Sequence, residues 1–206
     1  SNNRLPIWVG CSAQSPHQVL NDIKQADMLG AGGVMVANPM YVKPSQAGLV
    51  AYFTHLAEHS NLPIMMYNVP HRTGCSMDPE TACILSHQPQ LVAIKDTQIT
   101  VERMVAYQSA SVDFMVYCGD DKKKLTCMAN GGDGVVSVLA NMLPELVHVL
   151  CELAKQGSYS KAQALESKWM PFLLTLEQMN NPAAIKWALS DLGVMSPFVK
   201  MPLSLL

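Results

Sequence analysis

The 206-residue chain is 49% hydrophobic and only 15% charged, with a formal net charge of −2. That length suits one domain with a sizeable core, and the charge balance, with no large basic tract, excludes a nucleic-acid binder. No apolar run reaches the ~18 residues of a membrane span and no signal peptide is evident, so the expectation is a cytoplasmic chain without a membrane partner.

Taken in order, the polar Ser1-Asn2-Asn3 precedes a first strand at Leu5–Gly10. Ser15-Pro16 opens a helix as N-cap and first-turn proline, and the helix stops at Gly30. Val34–Ala37 is the next strand, followed by the loop Asn38-Pro39-Met40-Tyr41 and a helix from about Ser45 with Leu49, Tyr52, Phe53 and Leu56 on one face. His55 and His59 lie four apart on that helix, as zinc ligands can, but the glutamate of a metallohydrolase is out of register, so they read as surface histidines. A third strand covers Pro63–Val69, and Asp78-Pro79-Glu80 caps a helix ending near His87.

Leu91–Thr97 is the fourth strand, with a helix around Val101–Ala110 after it. Phe114–Cys118 forms a strand that breaks at Gly119-Asp120, and a helix through Leu125, Met128 and Ala129 closes at Gly131-Gly132. Lys122-Lys123-Lys124 reads as a solvated helix face. Gly134–Leu139 is the last strand, and from Pro144 the chain is helical in three pieces divided at Gly157-Ser158 and Asn180-Asn181-Pro182. Strand–helix alternation implies a parallel sheet with right-handed crossovers. The six cysteines, Cys11, Cys75, Cys83, Cys118, Cys127 and Cys151, contain no C-x-x-C pair, which suits free thiols in a reducing compartment.

Chemistry concentrates at two strand ends. Leu91-Val92-Ala93-Ile94 runs into Lys95, and a lysine at the carboxyl end of a buried strand sits where α/β barrels carry their active sites. In an apolar pocket its ammonium loses protons more readily, and the amine can attack a carbonyl to give a Schiff base. The same residues also fit a lysine that reaches out to water. About one βα unit earlier, Ile64-Met65-Met66 leads into Tyr67 and then the Arg72-bearing loop. A phenol, an amine and a guanidinium on adjacent strand ends supply a proton relay, an imine-forming group and a carboxylate clamp.

Tyr67-Asn68-Val69-Pro70 with Arg72-Thr73-Gly74, Ile94-Lys95-Asp96, Gly119-Asp120-Asp121 and Gly131-Gly132-Asp133-Gly134-Val135-Val136-Ser137 resemble the dihydrodipicolinate synthase and N-acetylneuraminate lyase family of pyruvate-dependent aldolases. Asn38-Pro39-Met40-Tyr41 and Lys43-Pro44-Ser45 fit as well, and the Arg72 loop is similar to the synthase branch. The resemblance implies a (β/α)₈ TIM barrel, here lacking its first two βα units, with residues 1–142 carrying strands three to eight and residues 143–206 a C-terminal helical region. It implies condensation of pyruvate with a small aldehyde, aspartate semialdehyde, by a covalent imine on Lys95 with no other cofactor and no metal. Tyr67 and Tyr41 join Lys95 as catalytic residues, Tyr41 reaching across the contact of a homodimer or homotetramer. Arg72, Val136, Ser137 and Gly119 bind substrate. The family's Gly-Thr-Thr-Gly-Glu-type loop, which helps to hold the pyruvate carboxylate, is not found in this sequence. Two other readings stay open: a sugar-acid or sialic-acid aldolase of the same family, and a non-catalytic relative acting in self-association.

Overall fold

The computed structural model describes residues 4–205. Its elements in chain order are β1 (Trp8–Gly10), α1 (Pro16–Met28), β2 (Gly33–Ala37), α2 (Gln46–Glu58), β3 (Ile64–Asn68), α3 (Pro70–Thr73), α4 (Pro79–Leu85) and β4 (Leu91–Asp96). They continue with α5 (Val101–Tyr107), β5 (Met115–Cys118), α6 (Lys124–Ala129), β6 (Gly134–Val135), a 3₁₀ turn at Leu139–Asn141, α7 (Pro144–Lys155), α8 (Tyr159–Glu177) and α9 (Ala183–Asp191). The strands form one sheet in the order β1 to β6, every neighbouring pair parallel, with β1 and β6 at its edges. Each strand is joined to the next through at least one helix, which makes this a TIM-barrel-like α/β fold.

The core lies between the sheet and the helices. Val19 and Ile23 of α1 and Leu49, Phe53 and Leu56 of α2 pack with Val34, Val36, Ile64, Met66 and Ile94 from the strands, all of them buried. Each fully buried side chain of this size contributes roughly 1.5–3 kcal/mol. A smaller cluster of Leu176, Ala184, Ile185 and Ala188 joins α8 to α9. No helix among the described residues is long and apolar enough to cross a membrane.

Local chemistry explains most element ends. Pro16 occupies the first turn of α1, and Gly30, at φ 77°, takes the left-handed position just past its end. Ser45 caps α2 by accepting the Gly48 N–H at 3.2 Å, and Thr100 does the same for Arg103 in α5. Ser15 and Asp78, expected as caps, stand in extended backbone before α1 and α4 but make no side-chain cap bond. The segment after Val69, expected as a loop, instead makes the single helical turn α3, opened by Pro70 and closed by Gly74 at φ 77°.

Two expectations need correction. The last strand ends at Val135 rather than Leu139, because the Val138 and Leu139 N–H groups bond to the Asp121 carboxylate at 2.9 and 3.0 Å and turn the chain away from the sheet. Nor is the lysine run a solvated face throughout. Lys124 is 1% exposed, its ammonium donating to the Asp121 carbonyl at 2.6 Å and to Glu166 of α8 at 2.5 Å.

Strand β4 is anchored on its helix-facing side by Asp96, which is fully buried. Its carboxylate accepts from Asn68 Nδ2 (2.9 Å), the Gln98 N–H (2.8 Å), Arg103 Nε (2.9 Å) and the Tyr107 hydroxyl (2.7 Å). Burial, then the adjacent Asp96, push the Tyr107 phenol well above its ordinary value, so it stays a donor. Removing one partner of a buried ion pair costs about 3–5 kcal/mol, whereas a single hydrogen bond to a charged group is worth roughly 1.5–3 kcal/mol. In urea unfolding, Asp96→Ala is therefore expected to lose clearly more stability than Tyr107→Phe. Equal losses would show that Asp96 is not the hub.

Candidate active site

Parallel pairing sets the site's geometry before any side chain is considered. Ala37 of β2 stands opposite Tyr67 of β3, Tyr67 opposite Lys95 of β4, Lys95 opposite Tyr117 of β5, and Tyr117 opposite Gly134 of β6. In-register neighbours point to the same face, and alternation along β4 sends Ile94 and Asp96 into the helix-side core and Lys95 to the other side. Lys95 is 8% exposed, with Nζ 4.2 Å from the centre of the Tyr67 ring. Burial holds its ammonium below the usual lysine range, and the nearby Asp121 carboxylate opposes that shift.

Lys95 opens into a cavity of about 380 Å³ whose wall includes Tyr67, His71, Arg72, Thr97, Gly119, Asp120, Asp121, Val138 and Leu139. Leu173, Leu176, Glu177, Met179, Asn180 and Asn181, from α8 and the segment after it, complete the wall. At Gly119 a side chain has no room: a Cβ there would lie 2.9 Å from Thr97 Cγ2 and 3.1 Å from Lys95 Cε. The glycine leaves the lysine stem its place.

Asp121, itself buried, fixes the opposite wall. It accepts the Ser137 hydroxyl at 2.5 Å as well as the Val138 and Leu139 N–H groups. Lys124 beneath it links α6 to Glu166 of α8 through a buried ion pair, so the helices that complete the cavity are tied to its floor. A second bridge, from Lys122 in the turn before α6 to Glu177 of α8 at 2.8 Å, is partly exposed and worth little.

The structure brings Lys95, Tyr67, Arg72 and Gly119 to one cavity. Burial raises the Tyr67 phenol, and Arg72 partly offsets this. Arg72, on α3, is exposed and, among the described residues, its guanidinium donates only to the Asn181 carbonyl, through Nη2 at 3.4 Å, which leaves most of its fork open. Val136 and Ser137 are not in the cavity wall: the Val136 N–H bonds to the Cys118 carbonyl at 2.9 Å, the Ser137 hydroxyl is taken by Asp121, and Val138 and Leu139 face the cavity in their stead. Tyr41 is not in the wall either. It is 84% exposed, at φ 74°, with its N–H on the Thr73 carbonyl. The reading from sequence missed Asp121, Lys124 and the downstream wall. The pair Asp120-Asp121 beside a lysine run was the available signal for the first two.

A buried amine, a phenol and an available guanidinium around one cavity suit covalent carbonyl chemistry. The model of the "Dihydrodipicolinate synthetase family" matches residues 1–206. The chain is 37% identical over 202 residues to the 4-hydroxy-tetrahydrodipicolinate synthase of Pseudomonas savastanoi pv. phaseolicola, covering 98% of this chain and 69% of that protein. To the enzyme of the same name from Thermotoga neapolitana it is 35% identical over 207 residues, covering 98% and 70%. Among solved structures, dihydrodipicolinate synthase from Thermotoga maritima superposes with a TM-score of 0.95 at 33% identity, covering 100% of this chain and 71% of that one. The chloride-inhibited enzyme from Acinetobacter baumannii complexed with pyruvate gives a TM-score of 0.95 at 34% identity and the same coverage.

The Asp121 carboxylate favours the charged form of Lys95, so its removal lowers the lysine pKa further. Asp121→Asn is expected to move the pH profile of Lys95 trapping, by a small aldehyde and cyanoborohydride, toward lower pH. A profile that stays put or moves up would separate the two groups electrostatically. Gly119→Ala should slow trapping by about tenfold or more through displacement of the lysine stem, the scale of a positioning loss, with the protein still folded by circular dichroism.

Proposed function

Because the chain belongs to the dihydrodipicolinate synthetase family, we propose that it condenses pyruvate with aspartate semialdehyde through an imine on Lys95. The observation that carries this reading is a lysine 8% exposed at a strand end, with a lowered pKa, opening into a cavity shared with Tyr67 and Arg72. The neutral amine attacks the ketone carbon of pyruvate to give a carbinolamine, and loss of water leaves the imine. Loss of a proton from the methyl carbon then gives an enamine, and that carbon attacks the aldehyde of the second substrate. Tyr67, whose ring lies against the amine, carries protons in these steps. Arg72 takes the second substrate's carboxylate in a paired contact, which a planar guanidinium makes and an ammonium does not. The imine supplies the electron sink, so the route calls for no metal or diffusible cofactor.

We further infer that β1 to β6 are the third to eighth strands of an eight-stranded barrel. In support, β1 is an edge strand and an apolar hollow of about 450 Å³, lined by Ile7, Val9, Ala26 and Leu29 among others, lies beside it, as a further packed element would require. The helices after Met142 are read as the region that completes the cavity mouth. A homo-oligomer with Tyr41 at the contact is supported by its exposure together with that of Met40 and Val42 in the same loop. One similar solved structure is described as the first monomeric dihydrodipicolinate synthase variant.

Borohydride reduction in the presence of pyruvate tests the proposal. A single covalent mass increase is expected on Lys95, absent in Lys95→Ala and retained in Lys43→Ala. An adduct that persists in Lys95→Ala, or none in the unaltered chain, would overturn the imine assignment. Arg72→Lys is expected to leave pyruvate trapping within a few-fold while reducing turnover with aspartate semialdehyde by about tenfold or more, the scale of a lost bidentate contact.

A further inference from the structure

The last turn of α2 and its C-cap carry three metal-ligating side chains on one exposed face. His55, Glu58 and His59 are all solvent-exposed, and one ligand atom from each lies within 4.8 Å of the others. Residues three and four apart share a helix face, so the backbone alone brings the three together. The two imidazole rings have centroids 4.5 Å apart. The glutamate that a hydrolase motif carries beside its first histidine is absent, yet Glu58 immediately before the second histidine supplies a third donor.

The tautomer of a neutral His59 is set by its neighbour. Its Nδ1 lies 2.9 Å from the His55 backbone carbonyl, which can only accept. In the neutral ring Nδ1 therefore bears the proton, and the lone pair sits on Nε2. An imidazole oriented through its other nitrogen is the usual arrangement around bound zinc. Zinc–nitrogen bonds of about 2.0–2.1 Å place tetrahedral ligand atoms about 3.3 Å apart. The difference from the observed limit of 4.8 Å is at most about 1.5 Å, within reach of rotamer changes in exposed side chains.

We propose that His55, Glu58 and His59 form a surface site for a divalent first-row transition metal such as zinc, with one coordination position left open. Two imidazoles and one carboxylate select zinc, nickel or copper over magnesium and calcium, which require oxygen ligands. The site stands apart from the aldolase chemistry. α2 returns from the carboxyl end of β2 to the amino end of β3, so its last turn is on the rim opposite Lys95.

The test uses the untagged full chain, titrated with Zn²⁺ by calorimetry and with Co²⁺ by absorption. One Zn²⁺ per chain is expected, and a Co²⁺ spectrum without a thiolate charge-transfer band, which separates the site from the six cysteines. His55→Gln and His59→Gln should each weaken binding by at least about tenfold, the scale at which even an outer partner of a metal ligand is felt. Both variants should keep their melting temperature and their pyruvate trapping, and Glu58→Gln provides a third, equally exposed change. His87→Gln should bind as the unaltered chain does. Absence of saturable binding, binding unchanged in both histidine variants, or a thiolate band would each overturn the proposal.

Discussion

A lysine amine is a nucleophile only where its ammonium is disfavoured, and in this fold burial alone supplies that bias to Lys95. The same burial has to leave the amine open to a small carbonyl compound. The structure meets both demands by ending β4 at a cavity and leaving no side chain at Gly119. Asp121 is the group that could spoil the balance, since a free carboxylate beside Lys95 would hold it protonated. Its oxygens are instead occupied by one hydroxyl and two backbone N–H groups. Donors spread the negative charge and fix its position, so the carboxylate tempers the lysine without forming an ion pair with it. One side chain thus ends β6, shapes the pocket wall and moderates the amine.

Adjacent residues of β4 divide the labour by alternation. Lys95 faces the cavity, and Asp96, one residue on, faces the helices and gathers four donors from β3, α5 and the chain between them. Arg103 adds a bond to the Met77 carbonyl at 2.8 Å, which extends the anchor to the segment before α4. The strand end is held on one face, and Lys95 on the other face is held with it. For the imine chemistry proposed at Lys95 such anchoring matters, because misplacement of a reacting group by about 1 Å can cost a hundredfold in rate.

Much of this was legible in the sequence because it follows from short-range rules. Six apolar runs with helices between them fix a parallel sheet, and Lys95, Tyr67 and Arg72 fall at strand ends where such a sheet carries its chemistry. What stayed hidden was long-range. Lys124 looks like any lysine on a charged helix start, and only the approach of Glu166, far along the chain, makes its burial possible. The sixth strand reads as six residues because Val135, Val136 and Val138 suit a strand. It forms two, because a carboxylate from another loop takes the N–H groups that a longer ladder would use. The single turn α3 was obscured by its proline and glycine, which usually signal a loop and here open and close a helical turn.

The downstream wall also bears on how Arg72 can act. Its guanidinium rests on a single long contact to the neutral Asn181 carbonyl, although five donors are available. A carboxylate entering the cavity offers two charged acceptors in a matching plane, and such paired bonds are shorter and about twice as strong as neutral ones. Little is lost when the resting contact breaks, so most of the interaction energy remains for binding. A salt bridge in that place would have held the side chain more firmly and made it a poorer clamp. The weakness of the resting contact therefore fits the clamp role proposed for Arg72.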